Sequence, residues 1–380
     1  MPLAARCLFI IPGRLDRLTG GSIYDKRLND YLRKSGASVD IVSLPDLPYF
    51  AGLIASLIIS PLLALRLARR TYDLIIEDGW SHPSLLLFNL LRRARPGLKI
   101  VIIVHQLRWL ERRYRVAAVI ARLVERSALK SSHLIFTVSH FMRRRVDELN
   151  GGDPRVIVAS PGSNRPRECA PRENDSRESS VTDPAPASLE RGAVRLLFVG
   201  ICARRKGLHR LVSALSILRD PFVKLDVVGD YAFDPAYAEE LRCEVARLGL
   251  DDAVRFHGRV SDEALSRFYA QADLFVMPSS YEGFGIVYAE AMRAGLPIIA
   301  CDTGPAMEIV SAGVNALLVP GDSADALADA IRTLASDREL REHFSRRSLE
   351  LSRGLPTWDD TCGLISSALS ALVRERKTPD

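Results

Sequence analysis

Apolar residues along the chain fall into short unbroken runs separated by longer stretches in which they recur every three or four positions. The runs at 6–11, 38–43, 73–77, 99–104, 133–138 and 155–159 do not alternate with polar residues. Continuous runs of this length are expected of parallel strands covered on both faces. Between them, 21–34, 107–130 and 140–149 have helical length and spacing. The alternation resumes with strands at 194–199, 223–228, 254–257, 274–277, 297–300 and 316–319, and helices at 206–218, 235–248, 262–270, 286–294 and 324–334. Strand-then-helix repetition predicts right-handed crossovers, and so an α/β chain with two doubly wound parallel sheets.

A change of composition separates the two series. Residues 163–193 are rich in Pro, Ser, Arg and Glu and nearly free of large apolar side chains, which reads as a linker. The expected organisation is an N-terminal Rossmann-like domain over 1–165, a flexible linker over 166–192 and a second such domain over 193–355. A C-terminal helix follows over 356–380, running from Trp358 to about Glu375, with no core partner evident in its own neighbourhood. One apolar stretch, 50–65, is interrupted by Pro61 and falls short of the roughly 20 residues that cross a bilayer. It ends in Arg66, Arg69 and Arg70, as an interfacial helix would, but its length favours a buried or groove-lining helix.

Composition narrows the function classes. The chain has 380 residues, 47% hydrophobic and 26% charged, an ordinary globular balance. Six scattered cysteines without a Cys-x-x-Cys pair argue against a zinc site or a disulfide framework and fit a reducing cytoplasm. The apolar run at 8–11 is too short for a signal peptide. The net charge of +6 is divided unevenly. Residues 1–168 carry 27 Lys and Arg against 14 Asp and Glu, a net +13, and the remainder carries 25 against 32, a net −7. A basic half faces an anionic partner or is simply a solvated surface. Arg108, Arg112, Arg113, Arg115, Arg143, Arg144 and Arg145 concentrate this charge. No first strand is followed by a Gly-x-Gly-x-x-Gly loop, which disfavours a nicotinamide or flavin enzyme, and nucleic acid is not an expected partner.

The most informative stretch is Met277-Pro-Ser-Ser-Tyr-Glu282-Gly-Phe-Gly-Ile-Val-Tyr-Ala-Glu290. A strand ends, a turn follows, and a helix begins near Gly285. Gly283 and Gly285 allow a ligand close to the backbone, and free amides at a helix start attract anions. Glu290 lies about a turn and a half into the helix, where a carboxylate suits a neutral diol better than a phosphate. Read alone, Gly-Phe-Gly is equally a tight turn. A second cluster, Gly200-Ile-Cys-Ala-Arg204-Arg205-Lys206-Gly207, brings cations to the end of another strand. Positioned cations of this kind stabilise a departing diphosphate.

Glu282-x7-Glu290 with its flanking Pro-Ser and Glu-Ala-Met-x-x-Gly-x-Pro segments resembles the donor-site signature of glycosyltransferase family 4, a retaining family of GT-B architecture. The resemblance implies that Glu290 binds the donor ribose and Glu282 the transferred sugar. The backbone of Gly283, Phe284, Gly285 and Ile286 would contact sugar and diphosphate, and Lys206 the diphosphate. The segment 254–260, with Arg259 and Val260, resembles the loop that cradles the base. The arginine that the family places directly after the strand glycine is Ile201 here, so Arg204 or Arg205 would have to take its place. Gly20 and Gly21 resemble the family's N-terminal glycine loop, and His105 a histidine near the reacting sugar that serves as a hydrogen-bond partner.

Function then follows as an expectation: a metal-independent, retaining glycosyltransferase with Glu282, His105 and Lys206 at the reaction centre. Its co-substrate would be a nucleotide sugar carrying UDP or GDP, and its acceptor a glycan or a lipid-linked sugar. No metal is expected, since Lys, Arg and helix amides take the place of a divalent ion and no Asp-x-Asp occurs. The location would be the cytoplasm, with the basic N-terminal half against the inner face of an anionic membrane. A sugar-nucleotide epimerase or hydrolase on the same fold, or a catalytically degenerate binding subunit, are the alternative readings.

Overall fold

The computed structural model describes residues 5–16, 19–92, 98–110, 118–163 and 192–374. The chain divides into two compact units, Met1–Gly162 with Pro356–Asp380, and Ser163–Leu355. Most of the linker expected over 166–192 lies outside the described residues.

Unit 1 is a six-stranded, wholly parallel sheet in the order β2-β1-β3-β4-β5-β6. Its strands are β1 (Arg6–Pro12), β2 (Ser38–Leu44), β3 (Leu74–Asp78), β4 (Lys99–Val104), β5 (Leu134–Thr137) and β6 (Val156–Val158). The helices are α1 (Gly20–Lys34), α2 (Tyr49–Arg69), α3 (His82–Arg92), α4 (Ala118–Ser131) and α5 (His140–Asn150). Of the run expected as one helix over 107–130, the described residues form a 3₁₀ turn at Arg108–Leu110 and a helix over Ala118–Ser131; 111–117 lie outside the described residues.

Unit 2 is a second six-stranded parallel sheet, ordered β12-β11-β10-β7-β8-β9. It comprises β7 (Val194–Val199), β8 (Val223–Val228), β9 (Val254–Gly258), β10 (Leu274–Met277), β11 (Ile298–Cys301) and β12 (Ala316–Val319). The helices are α6 (Leu208–Leu218), α7 (Pro235–Arg247), α8 (Asp262–Gln271), α9 (Ile286–Arg293), α10 (Ala306–Ile309), α11 (Ala324–Ser336) and α12 (Arg338–Ser352). The last helix, α13 (Trp358–Arg374), belongs to unit 1. There the Thr361 hydroxyl donates to the Ser160 carbonyl at 2.6 Å, and the Trp358 ring meets the edge of Tyr24 at 5.8 Å.

Both strand orders reverse direction once, between β1 and β3 in unit 1 and between β7 and β10 in unit 2. Ligands of open parallel sheets bind beyond the carboxyl ends of the strands at this reversal. The chemistry-bearing loops should therefore be those that leave these strands.

The 50–65 stretch departs from expectation. Helix α2 runs for 21 residues straight through Pro61, and it is not buried. Tyr49, Gly52, Ser56, Ser60 and Leu63 form its inner face, and a Cβ on Gly52 would meet Pro83 and Ser84 at the start of α3 at 3.1 Å. Small residues let the two helices approach, which leaves the large aliphatic residues of α2 pointing outward. The amide that Pro61 lacks would have bonded to the carbonyl of Leu57, a residue on that outer face, so no packed contact is lost.

Candidate active site

In unit 2 the loops that leave β7 and β10 meet across the sheet reversal. After β7 the chain forms a 3₁₀ turn, Arg204–Lys206, and reverses at Gly207, whose φ is +76°. A Cβ there would lie 2.1 Å from the Pro278 carbonyl oxygen, so only glycine permits this approach. The Arg210 guanidinium bonds the same carbonyl at 2.5 Å. The Arg205 carbonyl accepts the Ser280 amide at 2.8 Å and the Ser279 hydroxyl at 3.1 Å. Through these bonds the backbone that carries Lys206 is tied to the backbone that carries Glu282.

The side chains converge as a result. Lys206 Nζ lies 2.6 Å from Glu282 Oε1, the Ser279 hydroxyl donates to the same oxygen at 2.6 Å, and Arg205 Nη1 stands at 3.5 Å. Both Lys206 and Glu282 are buried. Burial pushes the Glu282 carboxyl up, but Lys206 and then Arg205, with the hydrogen bonds from Lys206 and Ser279, outweigh it and hold the group below the usual carboxylate range. Arg205 also donates to the Tyr281 carbonyl at 3.2 Å. Two cations therefore face one carboxylate, and the cluster carries a surplus positive charge.

Helix α9 starts at Gly285, which is left-handed at φ +93°. A Cβ there would come within 2.6 Å of the Tyr288 ring. The ring is fixed by its hydroxyl, which donates to the Met277 carbonyl at 2.9 Å. Phe284 and Ile286 are buried beside the turn. Glu290 accepts the Tyr269 hydroxyl on Oε2 at 2.9 Å, which sets the orientation of its carboxylate. Arg259 follows the edge strand β9, with its guanidinium 3.9 Å from Asp230 and half exposed, and Val260 comes next.

The two candidate arginines separate clearly. Arg204 pairs with Glu240 on α7 and lies over the Tyr237 ring at 4.9 Å, turned away from Glu282. Arg205 is the one that reaches the cluster. Ile201 is buried, as an aliphatic side chain at that position should be.

Unit 1 gathers a separate set. The Thr19 side chain caps α1 by accepting the Ser22 amide, and Gly20 and Gly21 form its first turn. A Cβ on Gly21 would press on His105 Cδ2 at 3.3 Å. His105 Nε2 is 3.0 Å from Asp25 Oδ1, and Asp78, at the end of β3, stands beside the pair. All three are buried, with their ligand atoms within 4.8 Å of one another, a geometry that could also hold a metal ion. Burial and the neighbouring Asp25 charge push the Asp78 carboxyl up to about 8. Burial pushes the His105 imidazole down, but Asp25, by charge and hydrogen bond, and then Asp78 leave it raised. Asp25, Asp78, Ser279 and Tyr269 were not picked out from the sequence. The acidic end of an otherwise apolar strand, Glu77-Asp78, was the one available signal.

Among the described residues, the basic positions singled out in unit 1 differ in their settings. Arg108 is buried over the Trp80 ring at 4.1 Å, Arg143 and Arg145 are paired with Asp147 and Glu148, and Arg112, Arg113 and Arg115 lie outside the described residues.

Residues 183–350 match the family model described as glycosyl transferases group 1, and residues 21–162 match that of the glycosyl transferase 4-like domain. A D-inositol 3-phosphate glycosyltransferase from Arthrobacter sp. (strain FB24) is 32% identical over 184 residues, 48% of this chain and 44% of that protein. A mannosylfructose-phosphate synthase from Agrobacterium fabrum is 35% identical over 188 residues, 48% of this chain and 40% of that protein. The chain thus spans less than half the length of these two relatives. Among solved structures, sucrose-phosphate synthase from Thermosynechococcus elongatus superposes with a TM-score of 0.80 at 21% identity, covering 97% of this chain and 99% of that one. Anabaena HepE in complex with UDP and glucose gives a TM-score of 0.74 at 21% identity, over 97% and 100%. These structural likenesses establish the GT-B fold. With a group 1 match over 183–350 and a 4-like match over 21–162, the chain is of the group 1, family 4-like glycosyl transferase type.

Proposed function

We propose that the chain transfers a sugar from a nucleotide-sugar donor, UDP- or GDP-linked, to a glycan or lipid-linked acceptor with retention of anomeric configuration and without a divalent metal. The observation that carries this reading is the Lys206–Glu282 contact with Arg205 beside it, at the sheet reversal of unit 2. A diphosphate arriving there brings two negative charges to a cluster with a surplus cation and to the amides that open α9. Lys206 can then pass from Glu282 to the diphosphate, which frees the carboxylate for the hydroxyls of the transferred sugar. Glu290, already oriented by Tyr269, is assigned the ribose, and Arg259 and Val260 the base. His105 is assigned a hydrogen bond to the transferred sugar, with Asp25 and Asp78 as the groups that orient it.

The negative charge that develops on the leaving diphosphate is met by Lys206 and Arg205, which are in place before reaction and need no rearrangement of solvent. The acceptor enters on the face the diphosphate leaves. Free thiols at Cys7, Cys202, Cys243, Cys301 and Cys362 suit a cytoplasmic location, where such donors would be met. The names of the relatives, transferases and synthases, do not favour an epimerase or hydrolase.

A thermal-shift panel of nucleotide sugars tests the reading, because a ligand that binds the native state raises its apparent stability. One donor should raise the melting temperature of the wild type and fail to do so with Glu290→Ala. A panel in which no nucleotide or nucleotide sugar shifts the transition would overturn it.

A further inference from the structure

Helix α2 is inside-out for a helix on the surface of a globular domain. Its packed face is Gly52, Ser56 and Ser60 flanked by Tyr49 and Leu63, while Phe50, Ile54, Leu57, Ile58, Leu62 and Leu65 stand exposed, Ile54 at 70% and Ile58 at 69%. The neighbouring helices of the same layer continue the pattern. Helix α3 packs along α2 and exposes Leu90 and Leu91, and α4, whose Ala121 and Val124 lie against Tyr49, exposes Val119, Ile120 and Leu123. Eleven of the seventeen large hydrophobic side chains exposed among the described residues sit on these three helices. Scattered exposed aliphatics need no explanation, but a contiguous field of them marks an interaction surface.

Charge on the same helices has one sign. Helices α2 and α3 contain no Asp or Glu, and α4 contains one, Glu125, which is 2% exposed and accepts the Arg108 amide. Cations border the apolar field, with Arg66 and Arg69 in the last turn of α2 and Arg122, Arg126 and Lys130 on α4. An apolar face rimmed mainly by cations, with Arg66 and Arg70 offset by Asp40, is complementary to an anionic lipid surface, where aliphatic side chains enter the acyl boundary and guanidinium groups remain among the head groups. Helix α2 is long and apolar enough to cross a bilayer, yet its inner face packs on α3 along its length, so it is suited to lie in the interface rather than to span it.

We propose that the outer face of α2, α3 and α4 is a monotopic docking surface that inserts shallowly into an anionic lipid bilayer. This goes beyond the glycosyl-transfer reading and does not depend on it. It also moves the contact away from Arg108 and Arg143–Arg145, whose guanidinium groups are buried or engaged within unit 1.

Sedimentation with sucrose-loaded vesicles tests the proposal on the full chain. Wild type should pellet with phosphatidylcholine vesicles containing phosphatidylglycerol, and about tenfold less with phosphatidylcholine alone or at high salt. Ile54→Glu/Ile58→Glu should lose binding by about tenfold or more, and Arg69→Glu/Arg126→Glu should lose it on anionic vesicles. All four positions are exposed, so both variants should keep the wild-type melting temperature and donor-induced thermal shift. The proposal falls if wild type pellets with neither vesicle. It also falls if Ile54→Glu/Ile58→Glu turns a dimer into a monomer by light scattering while vesicle binding persists, because the face would then belong to a second copy of the chain.

Discussion

Lys206 and Glu282 meet at 2.6 Å with side-chain exposures of 11% and 9%, from two loops separated by more than seventy residues of sequence. Such a pair is a poor stabiliser compared with apolar residues of the same shape, because both charges lose hydration. Its place at a sheet reversal points to use rather than to stability. Lys206→Ala should lower donor turnover by about a hundredfold or more. The variant will also destabilise unit 2 by about 3 kcal/mol, since Glu282 is left buried with only Arg205 and Ser279. Lys206→Met/Glu282→Gln separates the effects. In urea denaturation the double variant should recover most of the lost stability, and in a transfer assay none of the lost activity. Recovery of activity as well would make the pair a structural one.

Arg204 and Arg205 are adjacent in sequence but face different ways, and the difference is measurable. Arg204 is 61% exposed and paired on α7 with a 55% exposed partner, and surface pairs of this kind contribute about 0–1 kcal/mol. Arg204→Ala should leave donor turnover within about twofold of wild type. Arg205→Ala should reduce it by about tenfold to a hundredfold, chiefly through a higher KM for the donor if the guanidinium holds ground-state diphosphate. Equal losses in both variants would remove the distinction drawn from the geometry.

What the sequence made legible is the part governed by local pattern. Continuous apolar runs located the twelve strands of the described residues, because parallel strands covered on both faces are mostly apolar, although Glu77, Arg195 and Asp226 sit within them. The Glu282–Glu290 segment was legible because it resembles a family signature and because its Gly285 stands where a Cβ would meet the Tyr288 ring at 2.6 Å. What remained hidden depends on which side of an element meets a neighbour. Residues 50–65 looked like a core helix because apolar content does not say that Gly52, Ser56 and Ser60 form the packed face. Arg204 and Arg205 could not be told apart, since the direction of each is set by Glu240 and by the Tyr281 carbonyl, remote in sequence. Asp25, Asp78 and His105 come together only through the strand order of unit 1.

Gly207 supplies a test of the loop geometry that is independent of ligand. Its φ of +76° disfavours any Cβ, and a Cβ there would also fall 2.1 Å from the Pro278 carbonyl oxygen. The left-handed conformation alone costs a non-glycine residue about 1–2 kcal/mol, and relief of the clash requires the β10–α9 loop to move. Gly207→Ala should therefore destabilise unit 2 by more than about 2 kcal/mol in urea and weaken the donor-induced thermal shift. Gly354→Ala, whose nearest neighbour to an added Cβ is a carbonyl oxygen at 3.6 Å, serves as the control and should change neither.

The buried acid pair of unit 1 predicts a pH dependence with a definite sign. The Asp78 carboxyl is raised from 3.8 to about 8, so the native state keeps a proton that the unfolded chain releases. Stability then falls as pH climbs through that window, because the native state binds more protons than the unfolded one. His105 is raised as well, so its contribution is present below 6.5 and is lost as pH rises through its native value. Asp78→Asn keeps the shape and removes the titration. The variant should flatten the decline in melting temperature between pH 5 and pH 8 and should exceed the wild type most at the alkaline end. Asp25→Asn acts differently, since it removes the charge that sustains the imidazolium. In that variant the His105 ring should titrate lower than in the wild type by NMR. A wild-type melting temperature that is flat or rising across the same window would show that Asp78 is ionised in the native protein.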